Sequence, residues 1–226
     1  MVTLTALGLL VALAASGAIY LQTLPGVGDA PTRARALLAR HGGIWSDAPP
    51  PPKLAAAIVS VEDEHFYDNW LLNIIDGVGR AALATLRRDG DPGGSTIDQQ
   101  LAKQLYGHGV GLGQTLREIG LGVKLALAFS KREILRMYLN VVYYGNHLWG
   151  DVAAARGYFG RSPSQLDWAQ ASLLAGLPVA PSALDPLTHY RLAKVRQWHV
   201  LVQLAANGYL TRKQAKAIYR EPLGLR

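Results

Sequence analysis

From Met1 to Gly28 no side chain is charged, and Leu4 to Leu24 is dominated by Leu, Ala, Val and Ile. A helix needs about 20 apolar residues to cross a bilayer core, and this stretch supplies them before Pro25 and Gly26 break it. Residues 1–24 are therefore expected to form a transmembrane anchor. A cleaved signal peptide is the competing reading, with Ala12, Ala14 and Ala15 near the cut, but the usual positive n-region is missing. Arg33, Arg35 and Arg40 follow the apolar stretch rather than precede it, so flanking charge alone does not set an outward orientation. Residues 25–52 read as a linker. It holds a short helix over Ala30 to Arg40, ended by His41-Gly42-Gly43, and an extended spacer, Asp47 to Pro52, with four consecutive prolines.

From Lys53 onward helical periodicity alternates with short glycine-rich joints. The spacing predicts helices over Leu54–Asn69, Ile74–Arg88, Thr96–Leu105, Leu116–Phe129 and Lys131–Leu139. Val152–Tyr158, Gln165–Leu177, Tyr190–Asn207 and Arg212–Tyr219 follow. Val141–Tyr144 is the best strand candidate, and it is short. Residues 53–226 are thus expected to form one mainly α domain.

Composition changes this picture in two ways. Half of the 226 residues are hydrophobic and 17% are charged, which supports a sizeable core. The formal charge of +7 favours an anionic partner: nucleic acid, an acidic lipid leaflet or a phosphorylated substrate. With no cysteine, disulfides and thiolate metal sites are excluded.

Three segments carry candidate chemistry. Glu62, Asp63 and Glu64 follow the apolar run Ala55 to Val61, and a carboxylate ending a buried helix is partly desolvated and suited to proton transfer. The plain alternative is a helix face meeting water. In Gly93-Gly94-Ser95-Thr96-Ile97-Asp98-Gln99-Gln100-Leu101-Ala102-Lys103 the glycines permit close approach of a ligand, and Thr96 with Gln99 has capping-box spacing. The helix start offers free N–H groups to a phosphate, and Gln100 and Lys103 share one face; an ordinary capped helix reads equally well. The ending of a P-loop is absent. Glu118, flanked by Arg117 and followed by Lys124, sits among Leu116, Ile119, Leu121, Val123, Leu125 and Leu127. It reads as a surface ion pair or as a second carboxylate facing a cleft. Ser130 to Asn140 reads as a capped scaffold helix that Asn140 ends through its side chain.

Taken in order, these segments resemble the peptidoglycan glycosyltransferase family (glycosyltransferase family 51), in its monofunctional type. Glu62-Asp63 with Phe66 is similar to the family's first motif, Gly93 to Lys103 to its second, and Glu118 falls at the glutamate of the third. Lys131 to Gly145 resembles the fourth motif. Ala153-Ala154, Tyr158-Phe159-Gly160 and Leu173 to Pro178 resemble the fifth and its surroundings. The likeness covers about Lys53 to Pro222. Departures stand at Asn69, Leu71 and Asn73, where the family has histidine, glycine and aspartate, and at Gln114 and Thr115 in place of an Arg-Lys pair. Gln104, Arg136 and Gln170 also replace the usual residues.

The resemblance implies a lysozyme-like, two-lobed helical fold and the polymerisation of lipid II by inverting transfer from a polyprenyl-pyrophosphate donor to a sugar 4-hydroxyl. It assigns catalysis to Glu62 and Glu118, and substrate binding to Asp63, Phe66, Ser95, Thr96, Gln100, Lys103, Arg117 and Lys124. It names lipid II, the lipid-linked glycan strand, the membrane and cell-wall assembly proteins as partners. No organic cofactor follows from it; a divalent magnesium or manganese ion is the candidate metal, with no ligand set assigned. The domain is expected on the outer face of the cytoplasmic membrane. A degenerate member that binds lipid II as a scaffold is the alternative within the family. A glycan hydrolase has no use for a pyrophosphate-binding lysine helix, and no nucleic-acid module is recognised.

Overall fold

A computed structural model describes residues 15–68, 95–107 and 109–226, together with Ala12. Among them the chain is helical, as expected. A helical segment over residues 15–23 leads into α1 (Ala30–Arg40), α2 (Pro52–Glu62), α3 (Ile97–Tyr106), α4 (Leu112–Ala128) and α5 (Lys131–Val141). Next come α6 (Gly150–Phe159), a 3-10 turn (Pro163–Gln165), α7 (Trp168–Gly176), α8 (Tyr190–Ala206) and α9 (Arg212–Arg220). The predicted helix Ile74–Arg88 and most of the predicted anchor lie outside the described residues. No helix among the described residues is long and apolar enough to cross a membrane.

Local chemistry explains most helix starts. Thr96 with Gln99, Ser130 with Glu133, Asp167 with Gln170 and Thr211 with Gln214 each form a reciprocal capping box. Each box satisfies two otherwise orphaned N–H groups. The proline spacer is shorter than expected. Pro52 is already helical, because at a first helical position the missing N–H costs no hydrogen bond. The helix it opens ends at Glu62, well short of Asn69, where Asp63 turns to φ −160° and ψ 78°. The strand expected over Val141–Tyr144 reduces to one antiparallel bridge, Tyr143 with Trp149, around a turn in which Asn146 and His147 take positive φ.

Two packed groups hold the site. In the first, α2 and α7 lie against each other and α8 crosses both, burying Leu54, Ala57, Ile58, Ala171, Leu174, Ala175, Val200 and Leu201 completely or nearly so. Each large aliphatic side chain buried here contributes about 1.5–3 kcal/mol. In the second, α3 packs on α4 and α5. A Cβ at Gly122 would lie 3.1 Å from both the backbone N and the Cγ of Gln99, so the α3–α4 approach depends on that glycine. Asn140 does not end α5. It stays inside the helix and spans 94 residues to Ser46, accepting from its N–H at 2.8 Å and donating to its carbonyl at 3.1 Å.

Asp151, in the first turn of α6, is buried, and burial pushes its carboxyl from 3.8 up to about 7 against the pull of two backbone N–H groups. The folded chain therefore keeps a proton that the unfolded chain releases near pH 4, and stability falls as pH rises from about 4 to about 7. Asp151→Asn is expected to flatten that part of a Tm-against-pH curve and to raise Tm most at pH 8. An unchanged slope would place the titration elsewhere.

Candidate active site

The apolar face of α2 carries Glu62 to the helix end, where the carboxylate is drawn into a hydrogen-bonded group. Its side chain is 12% exposed. Gln100 Nε2 donates to Glu62 Oε2 at 2.8 Å and to the Ser95 carbonyl at 3.3 Å. Tyr138 of α5 donates its hydroxyl to Gln100 Oε1 at 3.0 Å, which fixes the amide's orientation. Burial first, and the charge of Glu62 next, push the Tyr138 phenol well above its ordinary range, so it remains a donor. Arg196 Nη2 of α8 stands 3.9 Å from Glu62 Oε1.

Neighbouring residues tie this group to α3. Asp63 is buried, and its Oδ2 accepts the Ile97 N–H at 3.1 Å, joining the end of α2 to the start of α3. Thr96 Oγ1 accepts from the Gln99 N–H at 3.3 Å as the helix cap. Phe66 is fully buried under the Lys131 ammonium, 4.5 Å from its ring centre. Lys103 lies one turn beyond Gln100 on α3. It is exposed, with no hydrogen-bond or ion-pair partner among the described residues.

The α4 residues form a second group. Glu118 is half-buried and its Oε1 accepts from Gln114 Nε2 at 3.0 Å; the same amide donates to the Gly107 carbonyl at the end of α3. Arg117 is half-buried beside it. Lys124 is already engaged, donating to the carbonyls of Leu21 at 3.2 Å and Leu24 at 2.9 Å. The structure therefore brings Glu62, Gln100, Ser95, Asp63 and Thr96 into one cluster. Glu118 and Gln114 make a separate pair on the adjoining helix.

Residues 39–205 of this chain match the transglycosylase family. The chain belongs to that family. A Cupriavidus necator protein provisionally named a transglycosylase is 38% identical over 177 residues, covering 78% of this chain and 76% of its own length. Penicillin-binding protein 1A of Neisseria flavescens is 35% identical over 175 residues, 76% of this chain but only 22% of that protein. A solved structure of penicillin-binding protein 1A from Haemophilus influenzae aligns over 45% of this chain and 16% of that one, at 35% identity and a TM-score of 0.41.

Within the transglycosylase domain, two contacts of the carboxylates were not foreseen, Gln114 on Glu118 and Arg196 near Glu62, nor was Tyr138, which holds the Gln100 amide. Arg196 had a readable signal. It lies three residues after Ala193 and four before Val200, both buried, so helical spacing turns it toward the core. Gln114 stands where the family has a cation, and it reaches the third-motif glutamate by a neutral amide instead. Among the described residues no three His, Asp or Glu side chains converge as a metal cage, and no step below is routed through a metal.

Proposed function

We propose that this transglycosylase lengthens peptidoglycan glycan strands from lipid II, with Glu62 as the general base. The observation carrying this reading is the placement of the Glu62 carboxylate at the end of a buried helix, held on one oxygen by Gln100 from the second-motif helix. The acceptor's sugar 4-hydroxyl gives its proton to Glu62 as its oxygen attacks the donor's anomeric carbon. The bond from that carbon to the pyrophosphate breaks on the opposite side, with inversion, and the polyprenyl pyrophosphate departs with the bonding electrons. General-base help of this kind is worth about 10²–10⁴-fold.

The departing charge needs cations that act when it develops. Lys103 suits this because its ammonium is exposed and unshared among the described residues. Arg117 is the second candidate; Lys124 acts from further back while bound to the Leu21 and Leu24 carbonyls. Glu118 orients this basic group from α4. Lys103→Ala is expected to slow polymerisation of fluorescent lipid II at least tenfold, with Lys103→Arg restoring part of the loss. An alanine variant as fast as the parent would remove Lys103 from the reaction.

The same reading puts residues 1–24 across the membrane, the two-lobed domain on its outer face and the lipid substrate alongside. Leu24, Leu21 and Tyr20 pack against Gly120 of α4, whose same face exposes Leu112, Leu116 and Leu127. An apolar surface beside the emerging anchor, on a chain of net charge +7, suits contact with anionic lipid headgroups.

A further inference from the structure

Residues 186–220 carry seven Lys or Arg and no Asp or Glu, as much positive charge as the +7 of the whole chain. The rest of the sequence is balanced. This run contains α8 and α9, and α9 packs on α8 and α7. Two of its cations are engaged: Arg196 stands near Glu62, and Lys194 donates to the Tyr219 carbonyl at 2.6 Å. Arg212, Lys216 and Arg220 of α9 are exposed, with no hydrogen-bond or ion-pair partner among the described residues.

Beside these cations α8 leaves an apolar seam uncovered. Val195, Trp198, Val202 and Ala206 recur at spacings of three and four, which sets them on one stripe of the helix. Trp198 and Val202 point to the side opposite Arg196, so the seam is turned away from Glu62. Val195 and Val202 are 48% and 43% exposed. Between α8 and α9 the surface sinks into two adjoining hollows. The first, about 560 Å³, has Trp198, Val202 and the buried Ala215 along its floor and Arg212 and Lys216 on its rim. The second, about 450 Å³, is lined by Trp198, Lys216, Tyr219 and Arg220. Trp198 and Lys216 border both, and no acidic side chain lines either.

We propose that this groove docks an acidic amphipathic helix of a partner protein. An apolar floor under an unpaired basic rim is complementary to a helix with apolar side chains on one stripe and carboxylates beside them. Two hollows in a row receive apolar side chains one turn apart, while the carboxylates meet Arg212, Lys216 and Arg220. A flat lipid surface would reach the exposed cations but not the recessed floor. The apolar surface beside the anchor belongs to α4, whereas α8 packs on α2 and α7. The groove's role is therefore recruitment, with catalysis left intact.

The probe is a fluorescein-labelled synthetic helix of about 18 residues, long enough to cover the seam, with leucines on one stripe and glutamates elsewhere. Its anisotropy is read against full-length protein in nanodiscs of neutral phosphatidylcholine, with empty discs as the blank. Saturable binding is expected, absent for a scrambled peptide of the same composition. Val202→Asp, and separately Arg212→Glu with Lys216→Glu, should each weaken it by about tenfold or more. A peptide with lysines for glutamates should bind the charge-reversed variant and not the parent. Both variants should melt and polymerise lipid II as the parent does, which shows that they fold. No binding up to about 1 mM overturns the proposal. So does equal binding of the scrambled peptide, or full binding by Val202→Asp, since either makes the attraction diffuse charge rather than a groove. The chain has no cysteine, so Val202→Cys offers a single thiol for an environment-sensitive bimane label. The peptide should shift its emission to the blue in neutral discs. The same shift without peptide in discs containing phosphatidylglycerol would assign the surface to lipid and overturn the proposal.

Discussion

Glu62→Gln is expected to lower the rate of glycan polymerisation by about 10²–10⁴-fold, the range that general-base help supplies. The substitution keeps side-chain size and leaves an oxygen to accept from Gln100 Nε2, so the cluster of Gln100, Tyr138 and Ser95 stays assembled. What is lost is the ability to take a proton from the acceptor hydroxyl. Arg196 loses a partner at 3.9 Å, but it is partly exposed and keeps its bond to Gly176. The folded state is expected to persist, with some loss of stability because the charge removed is largely buried. Initial rates on fluorescent lipid II, read with a melting curve, separate the two effects. A rate within a few-fold of the parent would mean that the proton leaves by another route.

Lys131→Ala is expected to be the most destabilising single change near the site. Lys131 Nζ meets Asp98 Oδ2 at 2.8 Å, with side chains 21% and 6% exposed, and lies over the Phe66 ring. Truncation leaves a buried carboxylate without its cation, a loss of about 3–5 kcal/mol for a broken buried pair. Burial already pushes the Asp98 carboxyl above its ordinary value of 3.8, and the charge and hydrogen bond of Lys131 pull it back. Without Lys131 the carboxyl rises further. A raised folded pKa makes stability fall as pH climbs through it, so the penalty should be larger at pH 8 than at pH 5. Urea unfolding at the two pH values checks this. The pair Lys131→Met with Asp98→Leu should recover most of the loss, because matched apolar residues carry no desolvation cost. Equal losses for the single and the paired variants would mean the damage is to packing instead.

Both variants probe links that differ in how legible they were in the chain. The cap of α3 was written locally: Thr96 and Gln99 stand three apart, and the box they form is the one their spacing predicts. Helix existence over the described residues was readable for the same reason, since caps and apolar spacing are properties of neighbours in sequence. Where α2 stops was not. Asp63 leaves the helix and bonds the N–H of Ile97, 34 residues away, and periodicity carries no record of such a partner. Asn140 looked like a helix terminator because asparagine often plays that part, but Ser46 claims both ends of its amide from 94 residues away. Within the site, Glu62, Gln100 and Glu118 were singled out by apolar runs and helical spacing, each beside a plain structural alternative, and the motif resemblance decided between the readings. Arg196 stands in none of the motifs named above; helical spacing marks it as inward-facing, but its nearness to Glu62 became visible only when α8 was laid across α2 and α7.

The departures from the family pattern divide on the same physical ground. Gln114 replaces a cation yet touches Glu118 and Gly107, so the third-motif glutamate is held in place by a neutral donor. That exchange keeps orientation and gives up positive charge, which in the proposed mechanism leaves Lys103 and Arg117 to meet the leaving pyrophosphate. It also frames the alternative of a binding scaffold, since a site short of cations can hold lipid II without turning it over.

The most direct measurement is incubation of the purified full-length protein with fluorescent lipid II in detergent, resolved by gel, with Glu62→Gln alongside. A ladder of lengthening glycan from the parental protein, absent or faint with Glu62→Gln, is the predicted result. Lipid II bound with no ladder from the parental protein, across detergents and added divalent ions, would contradict the account and make the chain a scaffold.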